Sequence, residues 1–135
     1  MTTPHDDDKP SPRGELVIQL VPLPSDTNAN GDVFAGWVVK QMDLAAATMA
    51  GRISKGRNAT VAIDRMEFLS PLRVGSQMGC YCELVDIGSS SMKINVEVWT
   101  RDRNAERLRK VTEALIVFVA IDDNGRIREV PEQGA

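Results

Sequence analysis

The sequence predicts an α+β protein in which one long central helix is wrapped by an antiparallel sheet of about five strands. Three observations carry this. One stretch alone has the length and composition of a long helix, and it lies in the first half of the chain. A single strand-like run precedes it, and four more follow it, each bounded by turn-forming residues. A parallel βαβ sheet would need a helix between successive strands, so this order excludes it.

The elements follow in order. Residues 1–14, MTTPHDDDKPSPRG, are proline-rich and charged and cannot bury much apolar surface. They are expected to form a disordered tail ahead of a domain spanning 15–130, with a polar end at 131–135. ELVIQLVPL at 15–23 is rich in Leu, Val and Ile and ends at prolines, as a strand running into a loop does. The loop SDTNANGD at 25–32 consists largely of residues that hydrogen-bond their own backbone or tolerate positive φ.

From 35 to 52, AGWVVKQMDLAAATMAGR is alanine-rich and free of proline, and the helix should close near Gly51 or Gly56. Trp37, Val38, Met42, Ala45, Ala46 and Met49 recur at helical spacing, and small side chains fill much of the remaining surface. Such a helix suits close approach by a sheet. In ATVAIDRMEFL at 59–69 the apolar alternation slips by one near Asp64, which predicts a bulge. QMGCYCELVDI at 77–87 and MKINVEVW at 92–99 follow, the latter with Met92, Ile94, Val96 and Val98 on one face and Lys93, Asn95, Glu97 and Trp99 on the other. One face should therefore be buried. VTEALIVFVAI at 111–121 is apolar on both faces, as in a central strand, and DDNGR reverses the chain after it. A helix cupped by such a sheet is the hotdog architecture, whose open edge and thin core favour dimerisation.

Composition narrows the function. A net charge of −3 without a basic stripe argues against nucleic-acid binding, and no apolar run approaches the roughly 18 residues of a membrane span. No secretory leader is apparent, and two cysteines make no disulfide framework, so a cytoplasmic setting is expected. Cys80 and Cys82 share one face of a strand, fitting core packing better than a metal or redox pair. The single histidine, His5, lies in the tail, which removes imidazole-based hydrolysis or dehydration. Acid–base chemistry must then come from carboxylates, amides or backbone dipoles.

Asp43 stands among Val39, Ala46 and Ala47 on its helix face. A carboxylate there is either a candidate base or a group that points to solvent beside Lys40 or pairs across an interface. The loop before the helix offers the amides of Asn28 and Asn30, and the helix start offers unpaired N–H groups, for a developing oxyanion. The alternative is an ordinary capping loop with Asp32 as N-cap and Gly36 merely allowing close packing. RDRNAERLRK at 101–110 reads as a solvated hairpin, or as cations meeting an anionic ligand at a subunit boundary.

PSDTNANGDVFAGWVVKQMD at 24–43, TVAIDRMEFLSPLRVGS at 60–76, SSMKINVEVW at 90–99 and VTEALIVFVAIDDNGR at 111–126 closely resemble bacterial acyl-CoA thioesterases of the YciA type. The resemblance spans about residues 15–130. It implies a hotdog fold and hydrolysis of acyl-CoA to a free acid and coenzyme A, without metal or organic cofactor. It also implies a double-hotdog dimer, three of which form a hexamer, with sites at the dimer interface. Carried over by residue, it makes Asp43 the general base, or a nucleophile forming a mixed anhydride. Asn28 orients the water or the thioester, and the N–H near Gly36 polarises the carbonyl. Arg57, Thr60, Ser90, Ser91 and Lys93 lie in matching segments as candidate coenzyme A contacts. Ala35 before Gly36, and Ala45, Ala46 and Ala47, replace glycines usual in the family, adding methyl groups that could narrow an acyl tunnel. A non-catalytic acyl-CoA binding or sensing protein is the alternative, although a pure binder needs neither Asn28 nor Asp43.

Overall fold

The computed structural model describes residues 11–101 and 107–134. Most of the expected tail, with His5, lies outside the described residues, as do residues 102–106 of the charged hairpin. Strand β1 (Glu15–Leu20) leads through a short 3-10 turn (Pro24–Asp26) to helix α1 (Ala35–Ser54). Strands β2 (Asn58–Phe68), β3 (Gln77–Ile87), β4 (Ser91–Arg101) and β5 (Leu108–Ala120) complete one five-stranded antiparallel sheet in the order β1-β3-β4-β5-β2. The first strand after the helix thus lands at the far edge, and β1 and β2 are the two open edges.

Helix α1 packs against every strand. Met42, Ala45, Ala46 and Ala50 turn inward against Met78 and Cys80 of β3, Met92, Ile94 and Val96 of β4, and Ala114, Ile116 and Phe118 of β5, all at most 1% exposed. The helix's alanines let the sheet come close, and the methionines fill the irregular space that remains. Both cysteines belong to this core as free thiols.

Four local features differ from expectation or sharpen it. β1 stops at Leu20 rather than residue 23, because Pro22 has no N–H for a ladder and its carbonyl instead accepts from Gly75 N. The helix continues through Gly51 and ends at Ser54, with Lys55 left-handed at φ 53°. Its last turn is held from outside: the Arg128 guanidinium donates to the carbonyls of Ser54, Ile121 and Arg57. The pairing of β2 with β5 shifts between Asp64 and Glu67, where Arg65 takes φ 52°, so the phase slip is a bulge. The β4–β5 ladder also runs further into the charged hairpin, to Arg101 opposite Leu108.

The second face of β4 is not simply solvated. Glu97 and Trp99 are 2% and 4% exposed. Glu97 accepts from the Trp99 indole N–H at 2.8 Å and from the Arg13 backbone N–H at 3.2 Å. The chain reaches this face through Gly14, at φ 98°, where a Cβ would lie 2.4 Å from the Cys82 carbonyl oxygen. Only glycine fits there.

Candidate active site

The loop ahead of α1 is built on its own backbone. Asn28 Oδ1 accepts from the N–H groups of Asn30 (2.9 Å) and Asp32 (3.2 Å), and Asn28 N donates to the Asp32 carbonyl. Gly31 closes the turn at φ 80°. With its oxygen engaged, the Asn28 side chain has only a donor, Nδ2, to offer a ligand. The loop is pinned to residues 72–74 by Val33 N donating to the Leu72 carbonyl and by Arg73, which reaches Asp32 Oδ1 and the Asn30 carbonyl, each at 3.4 Å.

Asp32 is not the N-cap of the helix. That position falls to Phe34, which makes no side-chain cap bond, and the first turn contains no acidic residue. Asp32 is spent on Arg73 two residues earlier. The helix therefore presents its amino end without a side-chain cap or a neutralising carboxylate, the condition in which its N–H groups best receive a negative charge. Gly36 sits in this turn, exposed, and a Cβ built on it would meet nothing within 4 Å. Its missing side chain therefore serves no packing within the protomer.

Asp43 lies two turns further along α1, partly buried. Its Oδ1 accepts a 2.7 Å hydrogen bond from Thr60 Oγ1 of β2. Thr60 pairs with Phe118, whose side chain is in the core, so Thr60 faces the helix. The family resemblance offered Thr60 only as a candidate coenzyme A contact; its partnership with Asp43 joins residues 17 apart and depends on where β2 docks. No local signal in the sequence carries it.

The remaining candidates do not converge on one point within the protomer. Arg57 Nη1 donates to the carbonyls of Asp122 and Asp123, bracing the turn after β5. Ser90 and Ser91 form the β3–β4 turn, where their carbonyls accept from Ala120 and Gly88. Register brings Ser91 opposite Val119, close to the start of β2, so these residues share one corner of the sheet. Lys93 alternates with the buried Met92 and Ile94 and so stands on the face away from the helix, opposite to Thr60.

Burial pushes the Cys80 and Cys82 thiols up to about 12, the other cysteine adding to the shift at Cys80 and Glu15 at Cys82. Neither is a nucleophile at neutral pH. Among the described residues, no three His, Cys, Asp or Glu side chains come together to hold a metal ion. What the site offers is a held carboxylate, an amide donor and an uncapped helix end on a hotdog frame, the equipment of a thioester hydrolase.

The chain belongs to the thioesterase superfamily, whose family model matches residues 30–106. Within that superfamily it is similar to the acyl-CoA thioester hydrolase YciA of Salmonella typhimurium, 44% identical over 127 residues that cover 92% of this chain and 96% of that one. The YciA of Escherichia coli is 42% identical over 134 residues, covering 97% and 98%. Among solved structures, a hexameric thioesterase from Yersinia pestis superposes with a TM-score of 0.87 at 43% identity, covering 91% of this chain and all of that one. The hexameric broad-specificity acyl-coenzyme A thioesterase HI0827, in a mutant form with an aspartate replaced by alanine, gives 0.86 at 42% identity, covering 90% of each chain.

Proposed function

We propose that this enzyme hydrolyses acyl-CoA thioesters to a carboxylic acid and coenzyme A, in a site shared by two copies of the chain. The observation that carries the proposal is the Asp43 carboxylate, held through one oxygen by Thr60 beside the open β2 edge. Its other oxygen takes a proton from a water molecule, and the hydroxide attacks the thioester carbon. The negative charge that develops on the carbonyl oxygen meets the helix-start N–H near Gly36, and Asn28 Nδ2 donates to the carbonyl or the water. Collapse of the tetrahedral intermediate breaks the C–S bond, and the departing thiolate receives the proton from Asp43.

Sharing follows from the helix itself. Gly36 and Asp43 are seven residues apart, about 10 Å along the axis at 1.5 Å per residue. Attack geometry needs the reacting groups within about 3–3.5 Å of one centre, so the amino end of one helix must serve the carboxylate of another. The β2 edge, with exposed Val61 and Ile63, suits pairing between two copies, and three such dimers would form a hexamer like those of the similar solved structures. Arg57, Ser90 and Ser91 at their common corner, with Lys93 reached from a neighbouring copy, are the groups proposed to hold coenzyme A. The proposal needs no metal or organic cofactor, since coenzyme A arrives as part of the substrate. A cytoplasmic location is proposed with it: no helix among the described residues is long and apolar enough to cross a membrane, and both cysteines are free.

The test is thiol release from acyl-CoA esters of increasing chain length, run on wild type and Asp43→Asn. Turnover in the variant should drop by about a hundredfold or more with fold and assembly intact. Near-normal turnover would remove Asp43 from the mechanism, and tight binding without release in either protein would favour a binding module.

A further inference from the structure

Beside the amino end of α1 lies a cavity of about 300 Å³ that the catalytic groups do not fill. Val33, Val38, Phe68, Leu69, Leu72 and Val111 line it, between the first turns of the helix and the chain leaving β2. Val33, Val38, Leu72 and Val111 are buried and form its floor, whereas Phe68 and Leu69 are exposed and form its rim. The polar groups of these walls are turned to the protein itself. Ser70 Oγ donates to the Lys110 carbonyl at 2.8 Å, and the Pro71 carbonyl accepts from Arg109 at 2.9 Å. The N–H groups of Val33 and Leu69 donate to the carbonyls of Leu72 and Val111. A group that enters thus meets mainly hydrocarbon.

The cavity's place in the fold connects it to the reaction. Ala35, which precedes Gly36, belongs to the same wall, and Val38 stands about 3 Å further along the axis at 1.5 Å per residue. An acyl group whose carbonyl oxygen rests on the N–H near Gly36 has this cavity next to its chain. Strand β2 runs against the helix, since Thr60 meets Asp43 while Phe68 shares the cavity with Ala35 and Val38. Two β2 edges paired about a two-fold axis run antiparallel, so the Asp43 end of one copy faces the cavity end of the other. We infer that this cavity receives the acyl chain and selects short acyl groups without a charged end, with Val38 and Leu69 setting the length accepted. The inference rests on the thioesterase reading above. The volume stands at the lower limit of ordinary ligand pockets, which gives room for a short chain and not for a long one. A terminal carboxylate would lose its water there and gain no partner.

The experiment measures kcat/KM for thiol release by the full-length protein with straight-chain esters from acetyl-CoA to palmitoyl-CoA, and with succinyl-CoA beside butyryl-CoA. Wild type should be fastest with a short chain, and succinyl-CoA should be slower than butyryl-CoA by about a hundredfold or more. Val38→Ala deepens the floor and should raise the rate on the next longer ester, relative to the wild-type optimum, by about tenfold. Leu69→Trp narrows the exposed rim and should lower that ratio by about tenfold. If Val38→Ala does not fold, Leu69→Trp decides alone. Hydrolysis with one chain-length profile in wild type and variants would overturn the inference and leave thioester hydrolysis standing. A wild-type optimum at palmitoyl-CoA, or succinyl-CoA turned over as fast as butyryl-CoA, would do the same. An unchanged profile joined to a smaller particle in sedimentation would give the cavity to a side chain of the partner copy and overturn the inference too. No thiol release from any ester by wild type would overturn the enzymatic reading and the inference with it.

Discussion

Thr60 donates one hydrogen bond to a carboxylate, and in the proposed mechanism that bond sets which Asp43 oxygen remains for water. Hydrogen bonds to charged groups contribute about 1.5–3 kcal/mol, equivalent to roughly 10–100-fold in rate if the held geometry is needed only in the transition state. Thr60→Val, which keeps the shape and removes the hydroxyl, should lower kcat by that range with little change in KM, and Thr60→Ser should restore most of it. A rise in KM alone would return Thr60 to the role of substrate contact. The cysteines give a second expectation at this scale. Their thiols are pushed up to about 12 in the fold, whereas an unfolded chain ionises them near about 8.5. The folded state is thus favoured by the neutral thiols below that value, and this contribution is lost as pH rises toward 12. A thiol-reactive probe at pH about 8 should label neither cysteine in native protein and both in denaturant, and the melting temperature should fall steadily above pH about 9. Rapid native labelling would contradict the burial.

At the scale of elements, Arg128 joins three that are distant in sequence. It donates to Ser54 at the end of α1, to Arg57 before β2 and to Ile121 after β5, and so closes the carboxyl end of the helix against the sheet. Arg128→Ala should cost about 1–3 kcal/mol, read as a lower denaturant midpoint. Arg128→Lys should recover little of it, because an ammonium cannot fork to three carbonyls. None of this was legible in the sequence, where Arg128 is one cation among many. The period of two in MKINVEVW did locate the core face of β4, and the phase slip at Asp64 did locate the bulge, because both are local patterns. Thr60 beside Asp43 and the buried Glu97 escaped, since they arise from register between strands and from chain crossing a face, which no local window records. Asp32 as N-cap, the alternative reading of the loop, fails for the same reason: Arg73, 41 residues away, claims it.

For the whole molecule, the open β2 edge is the decisive feature. Val61 and Ile63 are 57% and 41% exposed on a strand with one ladder neighbour, and Thr60 lies among them. A charge introduced here, as in Val61→Lys, should weaken pairing between copies and make specific activity fall on dilution, in step with particle mass. Full activity in a monomer would dismiss the shared site. An edge that pairs with its own copy across a two-fold axis also has an arithmetic of inheritance. In the proposed dimer each codon on β2 is expressed on both sides of the contact, so one mutation would change the association free energy twice over. An exposed position on the helix, such as Thr48, carries no such doubling. Drift should therefore be slowest along this one strand, even where its side chains look free to vary in a single chain.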